Sequence, residues 1–190
     1  MKRNFLTAIW FTLVTTVMFG LFYPLGITGL AQVFFHEKAN GQLIEKNGKV
    51  LGSRIIGQSF TGPGYFHSRP SNAGTGYDAT SSSASNLAPT NKQLIERVKA
   101  DVEKARAENP SAPAPIDLVT TSGSGLDPNI SPAAAEFQIA RVAHERGMNP
   151  DDVRMLVQRH TLGRQFGFLG EPRVNVLELN LDLDAHHPLR

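Results

Sequence analysis

A serine and glycine loop is the first place where nucleophilic catalysis or phosphate binding could be sought. It reads Ser122-Gly123-Ser124-Gly125. A serine hydrolase carries its nucleophile in a G-x-S-x-G turn, but the residue two positions before Ser124 is Ser122 rather than glycine. A phosphate-binding loop ends in a Lys-Ser or Lys-Thr pair that opens a helix, and Leu126 follows here instead. The residues themselves therefore predict a flexible turn.

Patterns for metal binding are also missing from the sequence. The chain has no cysteine, which excludes thiolate ligands, disulfides and cysteine nucleophiles. None of the six histidines has the H-E-x-x-H spacing that sets two imidazoles on one helix face. His186-His187 lie near Asp182 and Asp184, where a frayed, solvated end is favoured over a metal site. We expect no catalytic residues, no metal and no cofactor of its own.

The charge balance argues against nucleic acid as a partner. Lys and Arg number 19 and Asp and Glu number 17, but Lys2 and Arg3 account for the whole excess. The rest of the chain is formally neutral, whereas binding to phosphates needs a clustered basic surface.

A membrane helix is predicted at the N-terminus. No formally charged side chain occurs from Asn4 to Phe35, and about 20 apolar residues suffice to cross a bilayer. We predict a short N-terminus and a single transmembrane helix within residues 1–35, with the helix at about 8–30 and a kink at Pro24. A cleaved signal peptide is the alternative, but its apolar region would be shorter than this one.

The basic residues at the two ends of this span predict its orientation. Lys2 and Arg3 immediately precede it, so the N-terminus is expected in the cytoplasm. Residues 36–190 would then form one extracytoplasmic, periplasmic domain. Within the span, Thr12, Thr16 and Gly20 recur every four residues, which is typical of a face where a second membrane helix packs closely.

The remainder predicts an α+β domain with a small sheet and about three helices. Asn47-Gly48 indicates a hairpin turn, and residues 61–90 are expected to be ordered despite lacking periodicity. Helices are expected to start at Thr90, as a capping box, at Ser131 and at Asn149. Strands are predicted at 116–120, 174–176 and 177–183, the last two joined by a bulge near Leu177.

Four ordered strings resemble one family, the C subunit of the Kdp potassium-transporting ATPase. They lie behind a single N-terminal membrane helix and span nearly the whole chain. The strings are GQSFT with YFHSRPS (57–71), SASNLAPTN (83–91), DLVTTSGSGLDPNIS (117–131) leading to Gln138 and Arg141-Val142-Ala143, and GEPRVNVLELN (170–180).

This resemblance implies a bacterial inner-membrane pump in which other subunits handle ATP and potassium. The implied partners are a channel-like potassium-binding subunit, a P-type ATP-hydrolysing subunit and a small hydrophobic subunit, besides membrane lipid. The family's C subunit is described as a catalytic chaperone that raises the ATP affinity of the hydrolysing subunit. On that view Ser122, Gly123, Ser124 and Gly125 would contact nucleotide.

We rank an accessory role in assembly above nucleotide contact, because an extracytoplasmic domain does not meet ATP. Two other classes stay open from the residues alone. One is a membrane-anchored extracytoplasmic enzyme, which would require a convergent polar pocket with perturbed titratable groups. The other is a ligand-binding sensor that works without partners.

Overall fold

The computed structural model describes residues 2–189, and the chain divides between Val50 and Leu51 into two compact units. The first unit is dominated by a long apolar helix, and the second is a mixed domain of helices and a small antiparallel sheet. The predicted α+β class with one N-terminal apolar helix is confirmed.

The N-terminal helix runs over 33 residues from Lys2 to Phe34 and is long and apolar enough to cross a membrane. At 1.5 Å per residue it measures about 50 Å, more than the roughly 30 Å of hydrocarbon in a bilayer. None of its residues is buried. Its parts are α1 (Lys2–Val17), a π-helical turn (Met18–Phe22) and α2 (Tyr23–Phe34), followed by the short α3 (His36–Ala39).

Pro24 explains the π-helical turn. Proline has no N–H to offer the carbonyl of Gly20, and its ring would clash with that carbonyl in a regular α-helix. The helix widens instead, so that the Tyr23 N–H bonds to the Met18 carbonyl five residues back. The predicted irregularity at Pro24 therefore takes the form of a wide turn just before it.

The first sheet is a hairpin of β1 (Leu43–Lys46) and β2 (Lys49–Ser53). Asn47 has φ 55° and Gly48 has φ 73°, the positive angles that the sequence predicts for this turn.

The remaining elements belong to the mixed domain. They are α4 (Lys92–Glu108), a 3₁₀ turn (Ile116–Leu118), β3 (Asn129–Ile130), α5 (Pro132–Arg146), α6 (Pro150–Arg159), β4 (Thr161–Leu162), β5 (Arg173–Asn175) and α7 (Val176–His186). The core lies between α5, α6, α7 and a three-stranded antiparallel sheet in the order β3-β5-β4. Val174 of β5 is the centre of that sheet, since it pairs with Ile130 on one side and with Thr161 on the other.

The predicted helix starts hold at two positions and shift at the third. Ser131 accepts a hydrogen bond from the Ala134 N–H, and Asn149 accepts one from the Asp151 N–H. Asn91, not Thr90, caps α4, because its side chain accepts from the backbone N–H two residues on at 2.8 Å.

Two predicted strands are wrong. Residues 116–120 contain the 3₁₀ turn Ile116–Leu118 in place of a strand, and the Thr120 hydroxyl donates to the Ile116 carbonyl at 2.7 Å. Residues 177–183 belong to α7, which starts where the Asn175 side chain accepts the Glu178 N–H. No bulge occurs at Leu177, because strand β5 simply ends and a helix begins.

Candidate functional site

In the Ser122–Gly125 loop, the carbonyl groups of Ser124 and Gly125 are hydrogen-bonded to the neighbouring irregular segment. The Ser124 carbonyl accepts hydrogen bonds from the Ser83 N–H and from the Ser82 hydroxyl, both at 3.0 Å. The Gly125 carbonyl accepts one from the Ser71 hydroxyl at 2.6 Å. These bonds join two parts of the domain that are more than 40 residues apart in sequence.

The two glycines of this loop differ in role. Gly125 is buried with φ +69°, and a Cβ there would lie 2.6 Å from the Ser83 carbonyl oxygen and 2.7 Å from the Ala73 nitrogen. Gly123 is exposed, and nothing lies within 4 Å of a Cβ added to it. Only Gly125 is therefore required by the packing.

The hydroxyl and charge arrangement of the loop suits a turn better than a phosphate site. The Ser124 hydroxyl accepts the Leu126 N–H at 3.1 Å, as in a serine turn. Arg69 reaches the preceding Thr121 carbonyl at 3.5 Å, but its guanidinium also pairs with Asp127 at 3.3 Å. A cation already paired with a carboxylate is poorly placed to bind an anion.

The irregular segment around Phe66 is held by two buried amides. Asn180 of α7 accepts the Phe66 N–H and donates to the Phe66 carbonyl, both at 2.9 Å. Gln138 of α5 accepts the His67 N–H at 2.7 Å and donates to the His67 carbonyl at 3.1 Å. Two side chains thus serve as hydrogen-bond partners for two consecutive residues, in the way that neighbouring strands would.

Two arginines of α5 donate further hydrogen bonds to backbone carbonyl groups just before Phe66. Arg141 donates to the carbonyl of Tyr65 at 2.8 Å and to that of Pro63, and it pairs with Glu108 at 2.9 Å. Arg146 donates to the Gly64 carbonyl at 2.6 Å.

Arg146 also joins the C-terminal helix to the segment. Its guanidinium lies 4.9 Å from the centre of the Tyr65 ring and pairs with Asp184 at 2.9 Å. The Tyr65 hydroxyl donates to the same Asp184, and burial followed by this bond raises the pKa of Tyr65. The predicted frayed C-terminal end is wrong, since α7 extends to His186 and Arg146 also holds the His187 carbonyl.

His67 lines an open cleft of about 290 Å³ together with acidic and basic side chains, among them Asp101, Lys104 and Glu108. Burial, and then the Arg141 charge, lower the pKa of His67 below its usual 6.5. However, its Nε2 lies 3.0 Å from the Gly62 carbonyl, and the nearby Glu108 is paired with Arg141. These groups bind one another rather than converging on an empty position.

A second histidine cluster lies at the ends of α6 and α7. His160 Nε2 and His186 Nδ1 each lie 2.9 Å from a different oxygen of Asp182. The hydrogen bond from His160 is the main reason that the pKa of Asp182 is lowered. Within residues 2–189, no group of three or more histidine or acidic side chains has the arrangement needed to hold a metal ion.

The predicted small-residue face is continuous across the π-helical turn. A Cβ on Gly20 would lie 3.9 Å from Thr16 Cγ2, so these two residues remain neighbours although the helix widens there. Thr12 lies one turn before them on α1. The packing role of this face stays a prediction.

A second irregular segment, which we name the aromatic finger (residues 163–171), projects its apolar side chains into solvent. Phe166 is 80% exposed and Phe168 is 70% exposed. The two rings flank a tight turn closed by a pair of hydrogen bonds between Gln165 and Leu169, at 2.8 and 2.9 Å. Sequence reasoning missed this feature, although a Phe-Gly-Phe string between two glycines was a usable signal.

The fold, together with the similarity of the sequence to known proteins, defines the class of protein. One helix able to span a membrane precedes one α+β domain, which fits a single-pass inner-membrane subunit. A family model described as "KdpC: K+-transporting ATPase, c chain" matches residues 5–185. The chain belongs to this family and is a subunit of the potassium-transporting ATPase complex.

Curated relatives match along essentially their full length. The Potassium-transporting ATPase KdpC subunit of Koribacter versatilis is 64% identical over 189 residues, covering 100% of this chain and 98% of the relative. That of Acidobacterium capsulatum is 56% identical, covering 95% and 97%. That of Rhodospirillum rubrum is 53% identical, covering 100% and 99%.

Proposed function

We propose that the chain is a non-catalytic accessory subunit that assembles and stabilises the potassium pump. Its partners would be the channel-like potassium-binding subunit, the P-type ATP-hydrolysing subunit and the small hydrophobic subunit, which handle potassium and ATP. The observation that carries this proposal is the serine and glycine loop. Gly125 packs against Ser83 and Ala73, and the guanidinium of Arg69 beside the loop is paired with Asp127, so the loop is built as a structural turn whose neighbouring positive charge is already balanced.

The proposed orientation supports the same conclusion. Lys2 and Arg3 precede the apolar helix, and basic residues favour the cytoplasmic side. The α+β domain would then lie outside the cytoplasm, away from ATP. Protease added to intact spheroplasts tests this orientation, because it should degrade the domain and would leave a cytoplasmic one intact.

Assembly is tested by purifying the full-length tagged chain with the pump in mild detergent. Omitting the chain should prevent assembly and abolish potassium-dependent ATPase activity together. Gly20→Leu should reduce the co-purified subunits, because a large side chain would separate helices packed on the Thr12, Thr16 and Gly20 face. Met18→Leu is the matched control, since Met18 lies two residues from Gly20 and points away from that face.

The same preparation separates assembly from nucleotide contact. A Ser122→Ala and Ser124→Ala double variant should assemble normally and need no more ATP than the wild-type pump. The full-length chain alone should give no saturable heat on titration with ATP. Saturable binding, or a raised ATP requirement in an intact complex, would instead support the catalytic chaperone.

A further inference from the structure

The aromatic finger (residues 163–171) is built to present its phenylalanines. Gln165 and Leu169 exchange two backbone hydrogen bonds, and the Arg164 guanidinium binds both oxygens of Glu171 at 2.7 and 2.8 Å. The base of the finger is therefore closed by an ion pair. The rings of Phe166 and Phe168 remain at its tip, among the most exposed large apolar side chains of the domain.

The turn at the tip adopts a conformation that phenylalanine disfavours. Phe166 has φ 54° and Gly167 has φ 82°, so a bulky residue occupies the left-handed region. Strain of this kind persists where the surrounding structure enforces it, and it often marks a functional position. Here it fixes one aromatic ring in solvent, where that ring contributes nothing to the core.

We propose that the aromatic finger is a docking element that inserts Phe166 and Phe168 into an apolar pocket on another subunit of the same potassium-transporting ATPase. The proposal rests on the proposed function in assembly. Aromatic side chains presented on a preformed, hydrogen-bonded turn are typical of the centre of a protein interface, because the backbone of such a turn loses little conformational entropy when it binds.

The charges of the finger favour a protein pocket over a bilayer surface. Membrane-binding segments combine apolar side chains with an excess of lysine and arginine that attracts anionic headgroups. The finger has one arginine and one glutamate, which neutralise each other. It therefore offers no net attraction to anionic lipid.

The small area of the finger indicates a partner that is already held nearby. Two phenylalanine rings bury about 150–250 Å² each, whereas a stable interface buries about 800 Å² on each partner. The finger alone could not hold two copies of the domain together. A subunit of the same complex satisfies this condition, because further contacts raise its effective concentration.

Photo-crosslinking of the full-length chain within the co-expressed pump tests this contact. With benzoylphenylalanine at position 166, irradiation of cells should produce an adduct with another pump subunit. The matched control places the same group at Ile116, which is also highly exposed in the domain but lies outside the finger. Adducts only with lipid, only with a second copy of this chain, or with nothing while the pump co-purifies, would overturn the proposal.

A variant that keeps the turn provides a second test. Asparagine tolerates the left-handed region, so Phe166→Asn with Phe168→Ala should preserve the finger while removing both anchors. We expect at least about a tenfold loss of co-purified subunits at an unchanged or higher melting temperature. Ile116→Ala should show no such loss.

The two possible failures are distinguishable. If the wild-type chain co-purifies with the pump and the double variant does so equally well, the docking role of the finger is wrong and the role in assembly stands. If the wild-type chain itself does not co-purify, the proposed function is wrong.

Discussion

Two irregular segments of the domain each carry a phenylalanine, but the ring is buried in one segment and exposed in the other. Around Phe66, the chain passes through the core with its backbone bonded by Asn180 and Gln138, and the Phe66 ring is fully buried. Around Phe166, the chain turns back on itself and leaves its ring in solvent. Each segment is ordered, but the hydrogen bonds come from different places.

The difference shows that order and burial are separable. The segment around Phe66 takes its order from side chains on α5 and α7, so it is coupled to the core of the domain. The aromatic finger supplies its own hydrogen bonds and ion pair, so its tip can serve a partner without cost to the core. Variants should therefore destabilise the domain at the first segment and alter assembly at the second.

The largest expected loss of stability comes from Asn180→Leu. The change removes both hydrogen bonds to Phe66 and leaves a buried N–H and a buried carbonyl without partners. We expect the free energy of unfolding to fall by about 3 kcal/mol, since each unsatisfied buried group costs roughly 1–3 kcal/mol. Thermal unfolding of the full-length chain in detergent measures this as a lower melting temperature.

Gln158→Leu is the matched control for Asn180→Leu, because Gln158 is an exposed amide on α6. It should change the free energy of unfolding by less than about 0.5 kcal/mol. Equal melting temperatures for the two variants would show that the amide at position 180 does not hold the Phe66 segment.

A smaller loss is expected at the Ser122–Gly125 loop, whose carbonyls bind Ser71, Ser82 and Ser83. Gly125→Ala places a Cβ 2.6 Å from the Ser83 carbonyl oxygen at a positive φ, and should destabilise the domain by about 2 kcal/mol. Gly123→Ala should cost less than about 0.5 kcal/mol, because its Cβ meets open space. Denaturant unfolding compares the two, and a larger effect at Gly123 would refute the packing role assigned to Gly125.

Much of the fold could be predicted because its signals are local. The turn at Asn47-Gly48, the helix starts at Ser131 and Asn149, and the long apolar helix each depend on a few adjacent residues. The hydrogen bonds between Asn180 and the Phe66 backbone could not be predicted, because they join residues 114 positions apart. In the sequence, Asn180 looks like an ordinary exposed polar residue.

Helix α7 shows why one prediction was wrong. Its sequence alternates apolar and polar residues from Leu177 to Leu183, which matches the period of a strand. Its buried face nevertheless includes Val176, Leu179, Asn180 and Leu183, which is the spacing of a helix. The helical pattern was missed because Asn180 is polar and would be expected at the surface. Its burial is explained only by its hydrogen bonds to the distant Phe66 backbone.

The smallest expected effect is a dependence of domain stability on pH. It should arise in the segment around Phe66, which contains His67, and not in the aromatic finger, which has no histidine. Burial and the Arg141 charge lower the pKa of His67, so the folded state favours the neutral ring. The stabilisation is complete above the usual pKa of 6.5 and is lost as the pH falls below it toward the lowered value.

The melting temperature of the wild-type chain should therefore decrease from pH 8 to pH 5 more than that of His67→Gln, whose amide can still donate to the Gly62 carbonyl. His144→Gln, at an exposed position, should keep the wild-type slope. Equal slopes for the wild type and His67→Gln would mean that His67 does not make the segment around Phe66 sensitive to acid.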